Sequence, residues 1–121
     1  MSMRSSISAR FSDKVIRTIF CHFDGHISNN GKILLDSYKT QDKIEALIRL
    51  GEVVSLNSPV LEIEKVEKIE PIVCRNRDDI IDKNEQAFNY YWDGEEWRVS
   101  YWSQNKWYEL EKVIELENHY S

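Results

Sequence analysis

The sequence predicts a single α+β domain: an antiparallel β-sheet, made of an N-terminal hairpin and a C-terminal meander, with two to three helices packed on it. Three observations carry this. The 121 residues suit one domain. Strand-period or β-branched and aromatic runs stand near both ends, at RSSISARF (4–11), VIRTIFCHF (15–23), AFNYYW (87–92) and WRVSYW (97–102). Apolar residues at helical spacing fall between these runs and after them. No internal repeat and no low-complexity linker divides the chain, so residues 1–121 read as one unit.

In chain order, the first two runs flank Ser12-Asp13-Lys14 and form a hairpin. In its second strand Val15, Arg17, Ile19, Cys21 and Phe23 share one face, and Ile16, Thr18, Phe20, His22 and Asp24 the other. Apolar residues on both faces predict cover on both sides. Asp24-Gly25-His26 breaks the strand, and Ser28-Asn29-Asn30-Gly31 is loop. GKILLDSY (31–38) reads as a short helix burying Ile33, Leu34 and Tyr38. A second helix starts at Thr40 or just before Asp42, repeats Ile44, Leu47 and Ile48, and ends at Gly51. EVVSLN (52–57) leaves it as loop or short strand. Residues 60–70, between Pro59 and Pro71, suit a charged helix or an edge strand. Ile72-Val73-Cys74 starts another strand, which Arg77-Asp78-Asp79 ends, and 79–86 is a loop or one helical turn. Asp93-Gly94 turns the two aromatic strands, Trp107-Tyr108 adds a third, and Leu110, Val113, Ile114 and Glu117 define a terminal helix over the sheet.

Composition narrows the function classes. Aromatic residues make up 12% and hydrophobic residues 41% of the chain, enough for a packed core and against disorder. No apolar run approaches the roughly 18 residues that span a bilayer, and MSMRSSISAR lacks the apolar stretch of a signal peptide. The expected compartment is the cytoplasm, where Cys21 and Cys74 are thiols or metal ligands rather than a disulfide. The net charge of −5 is uneven: residues 1–58 hold eight Lys/Arg against six Asp/Glu, and residues 59–121 eight against fifteen. An acidic half argues against direct nucleic-acid binding. It suits a solvated face, or docking to a basic protein groove.

One cluster has metal-ligand chemistry. Cys21-His22-Phe23-Asp24-Gly25-His26 holds four potential ligands in six residues. On an extended strand His22 and Asp24 point the same way, about 7 Å apart, and Gly25 lets His26 fold back towards them. Cys21 points away unless a bulge re-aims it, and Cys74 is then its thiolate companion from a neighbouring strand. Such a mixed set, Cys21, His22, Asp24, His26 and Cys74, suits Zn²⁺ best. The other reading makes Cys21 a small buried hydrophobe and His22–Asp24 a surface pair. Catalysis fits less well. Adjacent strand residues point oppositely, so Cys21–His22 is a poor dyad, and nothing fixes His26 or His119 as a base. Asp24, His22 and His26 suffice for a metal-dependent hydrolase only if a coordination position stays open.

Arg75-Asn76-Arg77-Asp78 offers an Arg/Asp pair, functional or a strand-end salt bridge worth under about 1 kcal/mol. Tyr90, Tyr91, Trp92, Trp97, Tyr101, Trp102, Trp107 and Tyr108 exceed a minimal core, and strand alternation turns half of them outward. They form core and cross-strand pairs, a protein-binding hot spot or a nucleobase stack, the last disfavoured by the acidic half.

Several stretches together resemble a family of small phage and prophage proteins of unknown function. CHFDG (21–25) is similar to its CHWDG-like strand end, GKILLDSY (31–38) and KIEALIRLGEVVSL (43–56) to its two helices, VCRNRDD (73–79) to an Arg-Asp segment, and YYWDGEEWRVS (90–100) to its closing hairpin. Phe23 stands where the family has Trp, His26 where an aromatic is common, and Arg75-Asn76 where Tyr-His is usual. The lost histidine weakens a catalytic reading, and His26 with Cys74 favours a closed metal site. Some type II anti-CRISPR proteins are metalloproteins of this size. The resemblance therefore implies a phage-encoded inhibitor that binds a bacterial defence nuclease of the Cas9 type, whose basic grooves suit an acidic ligand. The alternative is a metal-dependent hydrolase of nucleotides or nucleic acid.

Overall fold

Six strands and four α-helices make up the computed structural model, which describes residues 4–57, 62–66, 69–84, 86–101 and 106–120. In chain order they are β1 (Ser5–Arg10), β2 (Ile16–Cys21), a π-helical turn (Ile27–Gly31), α1 (Lys32–Ser37), α2 (Gln41–Arg49), β3 (Ile72–Cys74), α3 (Arg77–Asn84), β4 (Phe88–Trp92), β5 (Trp97–Tyr101), β6 (Tyr108–Glu109) and α4 (Leu110–Tyr120). This is the expected α+β class. The strands make one sheet in the order β3-β2-β1-β4-β5-β6. Its neighbours are antiparallel except β1 and β4, which run parallel. That parallel pair joins the hairpin to the meander and places Ile7 beside Tyr90.

Side-chain alternation divides the sheet into two faces. Ile7, Ala9, Ile19, Cys21, Tyr90, Trp92, Trp97 and Val99 face the main core, where Leu34 and Tyr38 of the α1 segment, Ile44, Leu47 and Ile48 of α2, and Leu110 and Ile114 of α4 cover them. Each such side chain, fully buried, contributes about 1.5–3 kcal/mol. The opposite face carries a second cluster of Ile16, Cys74, Tyr91 and Ile80, the last from α3, with Trp107 against it. β2 is thus covered on both sides, as its two apolar faces require.

Local chemistry sets the boundaries. Asp13 accepts from the Val15 N–H in the hairpin turn. Thr40 caps α2 by accepting from the Lys43 N–H, and Gly51 ends that helix at φ +80°. Asp93 Oδ1 accepts the Glu95 and Glu96 N–H groups, both at 2.9 Å, closing the β4–β5 turn. Residues 52–54 bridge β2 to the extended stretch 64–66, with Val53 paired to both Cys21 and Lys65. The stretch 64–66 is thus bridge-paired at Lys65 rather than part of a charged helix; 58–61, 67 and 68 lie outside the described residues.

Two expectations change. Residues 77–84 are a helix, so Arg77-Asp78-Asp79 opens a helix rather than closing a strand, and of the two readings of 79–86, a loop or one helical turn, the helical one holds and extends further. Asn76 Oδ1 accepts from the Asp79 N–H at 3.0 Å, and Asp79 accepts back from the Arg75 N–H at 2.9 Å, a reciprocal cap. The ion pair there is Arg75–Asp79 at 3.3 Å, and Arg77 lies over the Trp107 ring. Nor does half of the aromatic group face solvent. Trp92 and Trp97 are a cross-strand pair with centroids 5.7 Å apart, and Tyr91 meets Trp107 at 5.7 Å on the other face. Tyr108 is the aromatic of that group left exposed among the described residues; Trp102 lies outside them.

Candidate functional site

The connection leaving β2 holds four of the five residues expected to bind zinc, and packs them for other ends. Cys21 is fully buried; its thiol donates to the Phe23 carbonyl at 3.3 Å and receives the Asn30 amide at 3.4 Å. Burial pushes that thiol above the usual cysteine range despite the Asn30 and Phe23 contacts. His22 Nε2 pairs with Glu52 Oε2 at 2.6 Å, so its partner is Glu52 and not Asp24. Asp24 is exposed at φ +60°, and its carbonyl accepts from the Asn30 N–H. His26 caps the π-helical turn, Nδ1 accepting from the Ser28 N–H at 3.1 Å, and its ring meets Phe88 edge-on.

Cys74 is remote from the others. It pairs with Ile16 across β3 and β2, on the face opposite Cys21, and its sulfur lies 3.5 Å from Thr18 Oγ1. A strand directs odd and even positions to opposite sides, so the two thiols cannot share an ion without rebuilding the sheet. Among the described residues no group of three or more His, Cys, Asp or Glu is placed to hold a metal ion. The residue that organises the connection, Asn30, was not singled out by its sequence position. Its amide reaches Ser5, Cys21 and Phe23, while Tyr90 donates to the Gly25 carbonyl at 2.6 Å.

A cleft of about 330 Å³ opens where α1, the β4–β5 turn and α4 meet. Its floor is Leu35 with the buried Trp92, Trp97 and Tyr38, which are 7%, 3% and 0% exposed. The polar atoms of that floor point inward. Trp92 Nε1–H donates to Gln41 at 2.7 Å, Trp97 Nε1–H to the Tyr38 carbonyl at 2.8 Å, and the Tyr38 hydroxyl to the Asn57 carbonyl at 2.6 Å. Burial raises Tyr38 to about 12. The rim carries Asp36, Glu95, Glu96 and Glu111 against Lys39. Glu96 is held by Arg98 at 2.6 Å, whereas Asp36, Glu95 and Glu111 form no ion pair among the described residues.

A second concavity, about 360 Å³, lies between the hairpin turn and the end of α2. There Arg17 and Arg49 sit over the Phe11 ring, 4.5 and 5.2 Å from its centroid. Each guanidinium is neutralised, Arg17 by Asp13 and Arg49 by Glu45, both at 3.0 Å. Its charges are balanced, and the acidic cleft is the stronger candidate for recognition. The acidic excess of residues 59–121 and the aromatic hairpin signalled the cleft; Asp36, which joins it from the α1 segment, carried no signal of its own.

No helix among the described residues is long and apolar enough to cross a membrane. Comparison with protein-family models, curated proteins and solved structures finds no significant match.

Proposed function

We propose that the protein acts by stoichiometric binding to a basic protein surface, as a phage-encoded inhibitor of a bacterial defence nuclease of the Cas9 type in the host cytoplasm. One observation supports binding most: Asp36, Glu95 and Glu111, from three separate segments, converge on one aromatic-floored cleft without ion-pair partners among the described residues. Unpaired carboxylates around a concave surface favour a cationic partner and repel phosphate backbones. The phage origin and the nuclease come from the resemblance of the CHFDG, GKILLDSY and YYWDGEEWRVS stretches. Zinc at Cys21, His22, Asp24, His26 and Cys74 is not required by this reading. The metal-dependent hydrolase needs three protein ligands on one ion, and no observation favours it.

The test mixes the purified chain with Cas9-type effectors loaded with guide RNA. Co-elution at equimolar ratio, with loss of DNA cleavage, is the expected result. Separate elution and undiminished cleavage across a panel of such effectors would refute the nuclease assignment.

A further inference from the structure

We infer that Asn30-Gly31 is a spontaneous modification site gated by the fold: when the π-helical turn opens on its own, Asn30 loses its side-chain amide as ammonia, and the turn cannot close again as before. This goes beyond the binding reading and does not depend on it. The sequence sets the chemistry. In an open chain the Gly31 nitrogen can attack the Asn30 side-chain carbonyl carbon, because glycine has no Cβ to obstruct the approach and adopts backbone angles that other residues avoid. A bond forms between Gly31 N and Asn30 Cγ, the bond from Cγ to Nδ2 breaks, and the amide leaves with the Gly31 hydrogen as ammonia. Water then opens the cyclic imide on either side, giving aspartate or isoaspartate. The folded turn blocks this. Asn30 is fully buried, and Gly31 is held helical at φ −58° and ψ −45°. The amide to be expelled donates to Ser5, Cys21 and the Phe23 carbonyl at 3.2, 3.4 and 3.3 Å. Tyr90 walls the turn, its hydroxyl tied to the Gly25 carbonyl at 2.6 Å and 3.4 Å from where a Gly31 Cβ would stand. The lock has one defect: Asn30 Oδ1 is buried without a hydrogen-bond partner among the described residues. A buried acceptor with no donor favours the open turn, where water serves it, and native proteins open such units below the cost of global unfolding. The product cannot restore the closed turn, since a carboxylate oxygen in place of Nδ2 has no hydrogen for the Phe23 carbonyl and faces it as a second acceptor. Cys21, now covered by that amide, loses its cover.

The experiment incubates the full chain in mildly alkaline buffer, folded and in guanidinium chloride, and follows Asn30 by mass-spectrometric peptide mapping. In denaturant Asn30 converts to aspartate and isoaspartate, and in the folded chain it converts at least about tenfold more slowly. Gly31→Ala slows conversion in denaturant, a result that does not require that variant to fold. Tyr90→Phe removes the bond to the Gly25 carbonyl; it speeds conversion of the folded chain about three- to tenfold and leaves the denatured rate alone. Gly94→Ala strains the turn at the opposite end of β4 and leaves the folded rate unchanged. Asn30→Asp opens Cys21 to thiol reagents, while Cys74, on the other face of the sheet, reacts as in the parent chain. Survival of Asn30 in denaturant, or equal rates in the folded and denatured chain, overturns the inference. So does a Gly94→Ala rate raised as much as that of Tyr90→Phe, which makes global unfolding the route. Unchanged Cys21 labelling in Asn30→Asp, or Cys74 labelled as fast as Cys21, overturns the local gate.

Discussion

The Asn30 side-chain amide lies 3.4 Å from Cys21 Sγ, and both residues are fully buried. This contact ties the end of β2 to the π-helical turn nine residues later, so the CHFDG stretch and the NNG stretch form one structural unit. Removing the amide takes a donor from the Ser5 hydroxyl and leaves the Phe23 carbonyl with the weaker Cys21 thiol alone. Asn30→Ala should cost about 1–3 kcal/mol, read as a lower urea midpoint with an unchanged slope. A midpoint equal to that of the parent chain would deny the amide this role.

The same packing bears on metal. Cys21 and Cys74 face opposite sides of the sheet, and His22 is engaged by Glu52. Chelator should leave the circular dichroism spectrum and the Tm unchanged, and both thiols should react slowly with thiol reagents until the chain unfolds. Stoichiometric zinc that unfolds the protein on removal would contradict this geometry.

Gly51 and Gly94 separate two kinds of glycine. Both have positive φ, +80° and +103°, but a Cβ on Gly51 would stand 1.9 Å from the Ile69 carbonyl oxygen, while one on Gly94 meets nothing within 4 Å. Gly94→Ala should cost about 1 kcal/mol from backbone strain alone. Gly51→Ala should cost more than about 2 kcal/mol, because backbone must shift as well. Equal losses in thermal or urea unfolding would remove the distinction.

Stability should be bounded on both sides of neutrality. Burial opposes the charge on Glu45, but Gln41, Ser12 and Arg49 outweigh it and hold the carboxyl below its usual 4.5. Burial likewise opposes Asp93, and the Glu96 and Glu95 N–H groups with Arg98 bring it below 3.8. The folded chain binds these protons less readily than the unfolded one, so their stabilisation is present above about pH 4.5 and fades as pH falls. Burial raises Tyr38 and Tyr101 from 10 to about 12. The folded state keeps those protons longer, so this stabilisation is whole below pH 10 and lost towards pH 12. Urea midpoints across pH, with tyrosinate absorbance, check both limbs; stability rising above pH 10 would reverse the sign.

The hairpin, α1, α2 with its Thr40 cap, the aromatic meander and α4 were legible because each carries a local signal: alternation, capping, a turn dipeptide or helical spacing. The parallel pairing of β1 with β4 was not, since it joins Ile7 to Tyr90 across 83 positions of sequence and depends on how the whole sheet assembles. Helix α3 was legible only as one possible helical turn at 79–86, although Asn76 and Asp79 supply a cap signature three residues apart. The acidic pair that opens it and the short apolar Ile80-Ile81 hid the pattern. At the candidate metal cluster, ligand-rich composition overstated proximity. Residue type was visible, but whether Cys21 faces Cys74 is decided by the register of β3 on β2. The cleft was half legible, its charge and its tryptophans from sequence, their meeting only from the fold.

The central claim is that a basic partner enters between α1, the β4–β5 turn and α4. The indole N–H signals of Trp92, Trp97 and Trp107 in a proton–nitrogen spectrum test it most directly, because the first two line the cleft floor and Trp107 packs on the opposite face of the sheet. Adding the bound partner should shift the Trp92 and Trp97 indole signals and leave Trp107 in place. A shift of Trp107 with the other two unmoved would put the partner on the wrong face and contradict the account.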